Sequence, residues 1–391
     1  MAWMKSRSGL WTMSIAFTLI AAACADPTVP PSDELSASLN QGASGPPTSL
    51  MWNAEAIGLA GASQLKQGPA NRVYMLVNVA ESRALDALRT AASNGNAEDG
   101  VASRIGALGG AAVTVLTYAF PAEQNALEAK LDALRNAAPN ALHFDAAVAI
   151  GRDAAQPVVN LASTDGSAAV VVPVIPVGPG YWTSPGTVAT PQWPFVRPML
   201  MSSGDQFRPP TPPAFGSAEY LSALQRVRDY SDARTAAQLA ILNFWNDPNP
   251  VGGHGAHWNQ IAASLILRDH LNEQAAVHVL ESLNLAISDA TIACFDAKYT
   301  YWYVRPYQVD LLITTPLGKP THPSYPSLHA CIGGAAVGVL EHEFPRDMSS
   351  LEAMLAEMLL SREWAGLHYW FDTAVGASMG RQVADLANLP R

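Results

Sequence analysis

The stretch "ACIGGAAVGVL" (residues 330–340) decides the fold class, and "TAVGASMG" (residues 373–380) repeats its composition later in the chain. Glycine weakens an exposed helix, but the missing Cβ atom lets two helices approach each other closely in a crowded interior. We therefore expect two tightly packed central helices, one built from each stretch.

Two other segments have the spacing of amphipathic helices. "PAEQNALEAKLDALRNA" (residues 121–137) begins with a proline and places Leu127, Leu131 and Leu134 on one face. "SLEAMLAEMLL" (residues 350–360) carries a full apolar stripe at helical spacing. No alternating strand pattern and no internal repeat stands out in the sequence. The predicted fold class is all-α, a helical bundle.

Residues 173–213 interrupt the helical pattern, because they hold eleven of the twenty-nine prolines. Such a density of proline excludes a regular helix or a central strand and predicts a long extended arm. Its aromatic residues Trp182, Trp193 and Phe195 indicate that the arm lies on the protein, since free linkers seldom carry aromatic side chains.

Composition excludes one class of partner. Hydrophobic residues make up 49% of the 391 residues, which is ample for a large core. The formal net charge is −10 and only 14% of the residues are charged, so no basic face is available for nucleic acid. A site for an anion must then be a local cluster of cations.

The first residues predict export. In "MAWMKSRSGLWTMSIAFTLIAAACADP", Lys5 and Arg7 precede an apolar run that is typical of a signal peptide, which we place at residues 1–24. The signal can end by lipid attachment at Cys24 or by ordinary cleavage, so the mature chain is expected in the periplasm, on a lipid anchor or outside the cell. Residues 25–51, rich in proline, serine and glycine, predict a flexible linker. No later apolar stretch reaches about 18 residues, and no transmembrane helix is expected in the mature chain.

Two cysteines remain beyond the signal. Cys294 and Cys331 lie in the apolar helical contexts "TIACFDA" and "HACIGG", which favour small buried thiols. One disulfide in an oxidising compartment is the alternative. No CxxC framework for a metal is present.

Cations are scarce in the last hundred residues, but three of the seven Lys and Arg residues between positions 290 and 391 lie beside unusual neighbours. Lys298 and Arg305, in "KYTYWYVRP", are seven residues apart and would lie on one face of a helix. Arg362 stands six residues before His368, and Asp372 follows that histidine by four residues. On a helix this spacing lets the carboxylate fix one ring nitrogen, so the other nitrogen is left as a nucleophile or a metal ligand.

The segment "HPSYPSLHA" (residues 322–330) adds a hydroxyl and backbone amides. Ser327 at a helix start would cap it, and its hydroxyl would point to the same place as the amides of Leu328 and His329. Each of these pieces alone is also typical of ordinary caps, ion pairs and core packing. Together they describe a pocket for a tetrahedral oxyanion.

Three motifs carry a resemblance to a known family: Lys298-x6-Arg305-Pro306, Pro326-Ser327-Leu328-His329, and Ser361-Arg362-x5-His368-x3-Asp372. Their order and spacing resemble the signature shared by vanadium-dependent haloperoxidases and type 2 phosphatidic acid phosphatases. The segments "QFRPPTPPAFGSAEY" (206–220), "GAHWNQIA" (255–262) and "IACFDAKYTYWYVRP" (292–306) look like bacterial secreted haloperoxidase-like proteins. The resemblance implies one helical domain over residues 52–391, of the haloperoxidase/acid phosphatase type, with its catalytic motifs in residues 292–376.

The resemblance also implies roles for these residues. The groups that would bind vanadate, or the phosphate of a substrate, are Lys298, Arg305, Ser327, Leu328 through its backbone amide, and Arg362. His368, oriented by Asp372, would be the axial ligand of vanadium in a haloperoxidase or the nucleophile in a phosphatase. His329 would be the acid/base.

One position departs from the family pattern. Leu328 stands where the family has glycine before the acid/base histidine. If the backbone there has a positive φ, leucine would cost about 1 to 2 kcal/mol, and if it is helical the cost is small. The other histidines receive no role: His254 and His257, in "GGHGAHW", are interpreted as loop residues, and His322 is left unassigned.

Three functions are compatible with these motifs. The first is a vanadate-dependent haloperoxidase that uses hydrogen peroxide, a halide and an organic acceptor. The second is a phosphatase with no metal, which hydrolyses a phosphate ester through a phosphohistidine at the same residues. The third, motivated by Leu328, is an oxyanion-binding protein without catalysis. The sequence is compatible with a homo-oligomer.

Overall fold

Helices dominate the computed structural model, which describes residues 46–389. Within this range the α-helices are α1 Thr48–Ala62, α2 Gln67–Ser93, α3 Val101–Ala119, α4 Gln124–Ala137, α5 Ala141–Ala162, α6 Ala218–Asp232, α7 Ala236–Phe244, α8 Gly253–Arg268, α9 Glu273–Tyr301, α10 Pro306–Val309, α11 Leu328–Glu343, α12 Met348–Trp364 and α13 Trp370–Ala387. The described part contains no strand beyond one isolated bridge between Tyr181 and Tyr303. The predicted all-α fold class is confirmed.

The two glycine-rich stretches form α11 and α13, which pack closely as predicted. A Cβ atom added at Gly334 would lie 2.3 Å from the carbonyl oxygen of Ala377, and one added at Gly380 would lie 2.2 Å from that of Cys331. Any side chain would therefore push the two backbones apart. Both cysteines beyond the predicted signal are free and buried, which confirms the thiol interpretation.

Helix α9 connects two hydrophobic layers. The first layer consists mainly of α1–α5 and contains Trp52, Leu76 and Phe144, with Leu285 of α9 packed into it. The second contains most of the other buried apolar residues of α9 together with those of α8, α11, α12 and α13. The predicted stripe of α4 is also correct, since Leu127, Leu131 and Leu134 are its buried residues.

Helix α3 is the one helix in the described part that is long and apolar enough to cross a membrane by length and composition. Its apolar window is 67% buried inside the protein, which is also the property of a core helix. By length and composition α3 departs from the expectation that no apolar stretch of about 18 residues follows the signal, but other helices surround it, so it is no clear membrane span.

The start of α1 corrects one predicted boundary. The signal peptide, Cys24 and residues 25–45 of the predicted linker lie outside the described residues. The last linker residues, 48–51, are instead helical and buried. Their helix begins where Glu273 accepts hydrogen bonds from the backbone N–H groups of Thr48 (2.6 Å) and Ser49 (3.0 Å). A carboxylate satisfies the unpaired amides of a helix N-terminus, so the folded part starts earlier than the composition indicated.

The proline-rich segment between α5 and α6 contains one 3-10 turn, Trp193–Phe195, and no other regular element. Trp182 and Trp193 are buried, whereas Phe195 is 68% exposed. The buried carboxylate of Asp289 on α9 accepts the backbone N–H groups of three consecutive residues, 199–201. This contact ties the segment to the central helix.

Four tyrosines bind the same segment through their hydroxyl groups. The donors are Tyr299, Tyr301, Tyr303 and Tyr325, and the acceptors are the backbone carbonyls of Ala189, Pro209, Pro213 and Pro210, respectively. The aromatic run beside Lys298 thus holds the proline-rich segment against the helices.

Candidate active site

Lys298 and Arg305 do not share a helix, contrary to the expectation from their spacing. Helix α9 ends at Tyr301 because Trp302 adopts a left-handed conformation with φ of 49°. Arg305 is the extended residue before α10, as expected for a residue that precedes a proline. The end of α9 at Trp302, and not a shared helix face, lets the two cations lie close together.

Both cations contact the segment that precedes α11. The Lys298 Nζ atom donates to the carbonyls of Pro323 (2.7 Å) and Ser324 (3.1 Å). Arg305 Nε donates to the carbonyl of His322 (3.0 Å), and neither cation is exposed to solvent. The two motifs are therefore joined by bonds from charged donors to neutral acceptors.

Arg362 approaches from the C-terminal end of α12. Its Nε atom donates to the hydroxyl of Ser361 (2.9 Å), and its Nη1 atom lies 2.9 Å from Nε2 of His329. It is 1% exposed. The structure thus brings the three cations of the first and third motifs together in the interior, and their partners are carbonyls, imidazoles and a hydroxyl.

Burial disfavours the charged forms of these cations. It lowers the pKa of Lys298 to about 8 and that of Arg362 to about 10, and it also lowers the pKa of Arg305. A buried charge is costly unless a counter-charge compensates it. Binding of an anion among them would supply that compensation.

His368 and Asp372 form the predicted pair, although only the aspartate is helical. His368 lies just before α13, and its Nδ1 atom is 3.1 Å from Asp372 Oδ2. The same oxygen accepts the hydroxyl of Ser324 (2.5 Å) and the backbone N–H of Tyr369 (3.0 Å). Burial raises the pKa of Asp372 to about 7. The sequence did not indicate that Ser324 supports this carboxylate.

The second nitrogen of His368 faces the cations. Its Nε2 atom lies 3.3 Å from Nη1 of Arg305, which can only donate, so Nε2 accepts and the Nδ1–H group donates to Asp372. Burial, and then the charge of Arg305, lower the pKa of His368 well below its usual range. The ring is therefore neutral at neutral pH, with a lone pair directed into the cation cluster.

Ser327 precedes α11, but its side chain does not cap that helix. Its backbone carbonyl accepts the first helical bond, from Cys331, and its N–H donates to the carbonyl of Asp372 (3.0 Å). Its buried Oγ atom has no hydrogen-bond partner within residues 46–389. The predicted cap is thus made by the backbone alone, and the hydroxyl stays available for another acceptor or donor.

Leu328 fits without backbone strain. It is the first residue of α11 and is not among the described residues that have a positive φ. Its side chain is 2% exposed and packs in the second hydrophobic layer. Of the two outcomes considered for leucine at this position, the helical one with a small cost is correct.

His329 contacts the cation cluster through Arg362. Its Nε2 atom is 3.0 Å from the carbonyl oxygen of Trp245 and 2.9 Å from Arg362 Nη1. One nitrogen cannot donate to the carbonyl and accept from the guanidinium at once, so the two contacts belong to different tautomers. Burial and the charge of Arg362 lower the pKa of His329 well below its usual range.

Comparison with known proteins identifies the part of the chain that carries the site. Residues 279–387 match the family model of the PAP2 superfamily. The matched segment contains all three motifs, from Lys298 to Asp372. The resemblance inferred from the three motifs is thereby confirmed at the level of the superfamily.

Solved structures show the same fold as this chain. A bacterial vanadium-dependent iodoperoxidase superimposes with a TM-score of 0.73 at 22% identity, covering 88% of this chain and 96% of the other. A holo-type bacterial vanadium-dependent chloroperoxidase gives a TM-score of 0.66 at 15% identity, with coverages of 86% and 94%. No curated protein sequence matches the chain significantly.

The three motifs open onto a cavity of about 360 Å³. Apart from Leu328, His329, Arg362 and His368, its lining includes Lys66, Asp247, His254, Phe295, Leu317, Lys319, His322 and Leu367. Lys298 and Arg305 lie behind His322, which is 3.2 Å from Arg305 Nη2 through its Nδ1 atom. The cavity therefore leads from the surface to the cation cluster.

Two histidines of this lining, His254 and His322, received no role from the sequence. His254 and His257 are not loop residues: both lie on α8, and the His254 ring is buried beside His329. His322 contacts Arg305 directly. The nearness of His322 to the second motif was the available signal, whereas nothing in "GGHGAHW" indicated which distant helix it would meet.

Proposed function

We propose that the chain is a vanadium-dependent haloperoxidase, which oxidises a halide with hydrogen peroxide to hypohalous acid. One observation carries the proposal: buried cations with uncharged partners lie around the unprotonated Nε2 atom of His368, which accepts from Arg305. The bacterial iodoperoxidase and chloroperoxidase that share the fold support it.

The residues present fit vanadate as a cofactor. Lys298, Arg305 and Arg362 would compensate the negative charge of its oxygens, and the unpartnered hydroxyl of Ser327 would complete the donor set. His368 would supply the ligand nitrogen, because Asp372 holds the ring in the tautomer that leaves Nε2 unprotonated. When bound, vanadate would supply a Lewis-acidic centre that activates hydrogen peroxide toward halide.

The chain's own residues would manage protons and access. Forming hypohalous acid and water from hydrogen peroxide and a halide anion consumes one proton. His329 can hold that proton on Nε2 and release it, because the carbonyl of Trp245 accepts from one tautomer and Arg362 donates to the other. The cavity admits the small reactants, and the cations at its inner end favour a halide anion.

A second candidate is hydrolysis of a phosphate ester without a metal. It is favoured by the neutral ring of His368, whose unprotonated Nε2 can form a bond to phosphorus while the alcohol leaves with a proton from His329. Water would then break the phosphohistidine bond. The same cations would stabilise the transferred group.

Export and assembly rest on the sequence alone. We propose that residues 1–24 direct the chain out of the cytoplasm, to the periplasm, a lipid anchor or the exterior. A homo-oligomer is compatible with the sequence.

One experiment separates the two activities. Purified apoprotein is titrated with orthovanadate, and bromide or iodide oxidation by hydrogen peroxide is assayed beside hydrolysis of a chromogenic phosphate ester. Halide oxidation that appears with vanadate supports the haloperoxidase. Phosphate-ester turnover that vanadate blocks, without halide oxidation, contradicts it and supports the phosphatase.

Variants locate the activity. His368→Ala should abolish either reaction, because both need the ring nitrogen that Asp372 orients. The matched control is His342→Ala, which removes an exposed histidine outside the cavity lining. Full turnover in the His368 variant would show that the reaction occurs elsewhere.

A further inference from the structure

His254 is held at the start of α8 by a specific turn. Gly252 and Gly253 have φ of 88° and 78°, a region that favours glycine. A Cβ atom on Gly253 would also lie 2.4 Å from the amide of Gln67, which accepts the backbone N–H of His254 at 2.8 Å. The backbone that presents the His254 ring is therefore well defined.

The ring of His254 lies against the face of the His329 ring. The two centroids are 3.4 Å apart, and the planes differ by 33°. At this distance the rings are in van der Waals contact, so His329 cannot turn about its Cβ–Cγ bond without displacing His254. That rotation would move Nε2 away from Arg362 and from the carbonyl of Trp245.

Packing, and not a hydrogen bond, holds the His254 ring in place. Its buried Nδ1 atom has no hydrogen-bond partner within residues 46–389, and the nearest carboxylate oxygen, of Asp247, is 3.8 Å away. The other oxygen of Asp247 is bonded to His257 at 2.8 Å. Burial and the charge of Arg362 lower the pKa of His254 and of His329, so the stacked rings are both neutral at neutral pH.

A metal ion is a less suitable explanation for this cluster. Potential ligand atoms of Asp247, His254 and His329 lie within 4.8 Å of one another. However, stacked rings direct their in-plane lone pairs side by side and not toward one point. Arg362 is also 2.9 Å from His329 Nε2, and its positive charge opposes a cation there.

We propose that His254 is a positioning residue, which fixes the plane of the acid/base ring of His329 through its aromatic face. The proposal rests on the proposed function of His329 as the acid/base. It assigns no proton transfer to His254, so the aromatic face matters and the ring nitrogens do not.

The test compares His254→Ala, His254→Gln and His254→Phe with the unchanged protein and with the control His342→Ala. His254→Ala and His254→Gln should lower kcat by about 10-fold to 100-fold, because His329 loses its fixed orientation. His254→Phe should restore kcat to within about threefold, since it keeps the aromatic face. Calorimetric affinity for orthovanadate should stay within about twofold in all of them, because Lys298, Arg305 and Ser327 are unchanged.

Two outcomes would overturn the proposal. If His254→Phe loses as much kcat as His254→Ala, the ring nitrogens of His254 take part themselves. If His254→Ala keeps full kcat, the stack has no role in orientation. Urea unfolding midpoints of each variant exclude loss of the fold as the cause.

The positioning role can be judged even if the unchanged protein shows neither activity. Crystal structures of the unchanged protein, His254→Ala and His254→Phe then report the orientation of the His329 ring directly. A ring that turns in the alanine variant and returns in the phenylalanine variant supports the proposal. A ring that keeps its orientation in the alanine variant overturns it, whatever the reaction of the chain is.

Discussion

Replacement of Ser327 by alanine should affect folding and anion binding in opposite directions. The Ser327 hydroxyl is fully buried and has no hydrogen-bond partner in the part of the chain that the structure describes. Its removal breaks no hydrogen bond within residues 46–389. Because an unsatisfied buried polar group costs about 1 to 3 kcal/mol, Ser327→Ala should leave the free energy of unfolding unchanged or raise it by up to that amount.

The affinity for an oxyanion should fall in the same variant. A hydrogen bond to a charged group contributes about 1.5 to 3 kcal/mol, and each 1.4 kcal/mol changes an equilibrium constant by about tenfold. Loss of the Ser327 hydroxyl should therefore weaken phosphate or orthovanadate binding by about 10-fold to 150-fold. The backbone N–H of the residue, which donates to the carbonyl of Asp372, is unaffected by the substitution.

Urea unfolding followed by tryptophan fluorescence measures the first quantity, and titration calorimetry with phosphate or orthovanadate measures the second. Ser324→Ala is the matched control, because its hydroxyl is equally buried but donates to Asp372 at 2.5 Å. That variant should be destabilised by about 1 to 3 kcal/mol. If Ser327→Ala is destabilised like the control and binds the anion with unchanged affinity, its hydroxyl serves the fold and the assignment of the anion pocket is wrong.

In urea denaturation, Gly334→Ala should lower the free energy of unfolding by about 3 kcal/mol or more, because its Cβ would meet a backbone carbonyl of the neighbouring helix. The control Gly58→Ala places a Cβ that has nothing within 4 Å, so it should raise the free energy of unfolding by about 0.5 to 1 kcal/mol. Equal effects of the two substitutions would refute the close helix packing. Sulfate stays doubly charged between about pH 6 and about pH 10, so a change in its affinity over this range reports on the protein. Burial lowers the pKa of Lys298 to about 8, and the side chain is positively charged only below that pH. The calorimetric affinity for sulfate should therefore fall as the pH rises through about 8. An affinity that is constant over this range, or that changes equally in Lys298→Gln, would contradict that assignment. In a Cys24→Ser background the two buried thiols should stay unreactive toward dithionitrobenzoate until the chain unfolds, and fast reaction of the native protein would show that they are accessible.

Sequence reasoning succeeded where the chemistry is local. The glycines of α11 and α13 predicted a close pair of helices because a missing Cβ has the same consequence in any context. The four-residue spacing of His368 and Asp372 predicted their contact even though the histidine lies outside the helix, since the helix N-terminus brings Asp372 back toward it.

The errors arose where a distant part of the chain decides the outcome. The seven-residue spacing of Lys298 and Arg305 indicated a shared helix face, but the left-handed Trp302 ends the helix and only the contacts to residues 322–324 bring the two cations together. His254 had no local signal, because its role depends on α8 meeting α11. The start of α1 at Thr48 could not be predicted either, because Glu273, which accepts the N–H of Thr48, lies in a helix far along the chain.

The proline-rich arm has a hydrogen-bonding imbalance that the tyrosines correct. Each proline contributes a carbonyl oxygen but no N–H, so the arm has more acceptors than donors. The hydroxyls of Tyr299, Tyr301 and Tyr303 supply donors at every second residue, immediately beside Lys298 and Arg305. A one-residue insertion in the arm would shift which carbonyl meets which hydroxyl, and the strain would reach the cation cluster. The length of a segment that contributes no group to the cation cluster is thereby restricted by the geometry of that cluster.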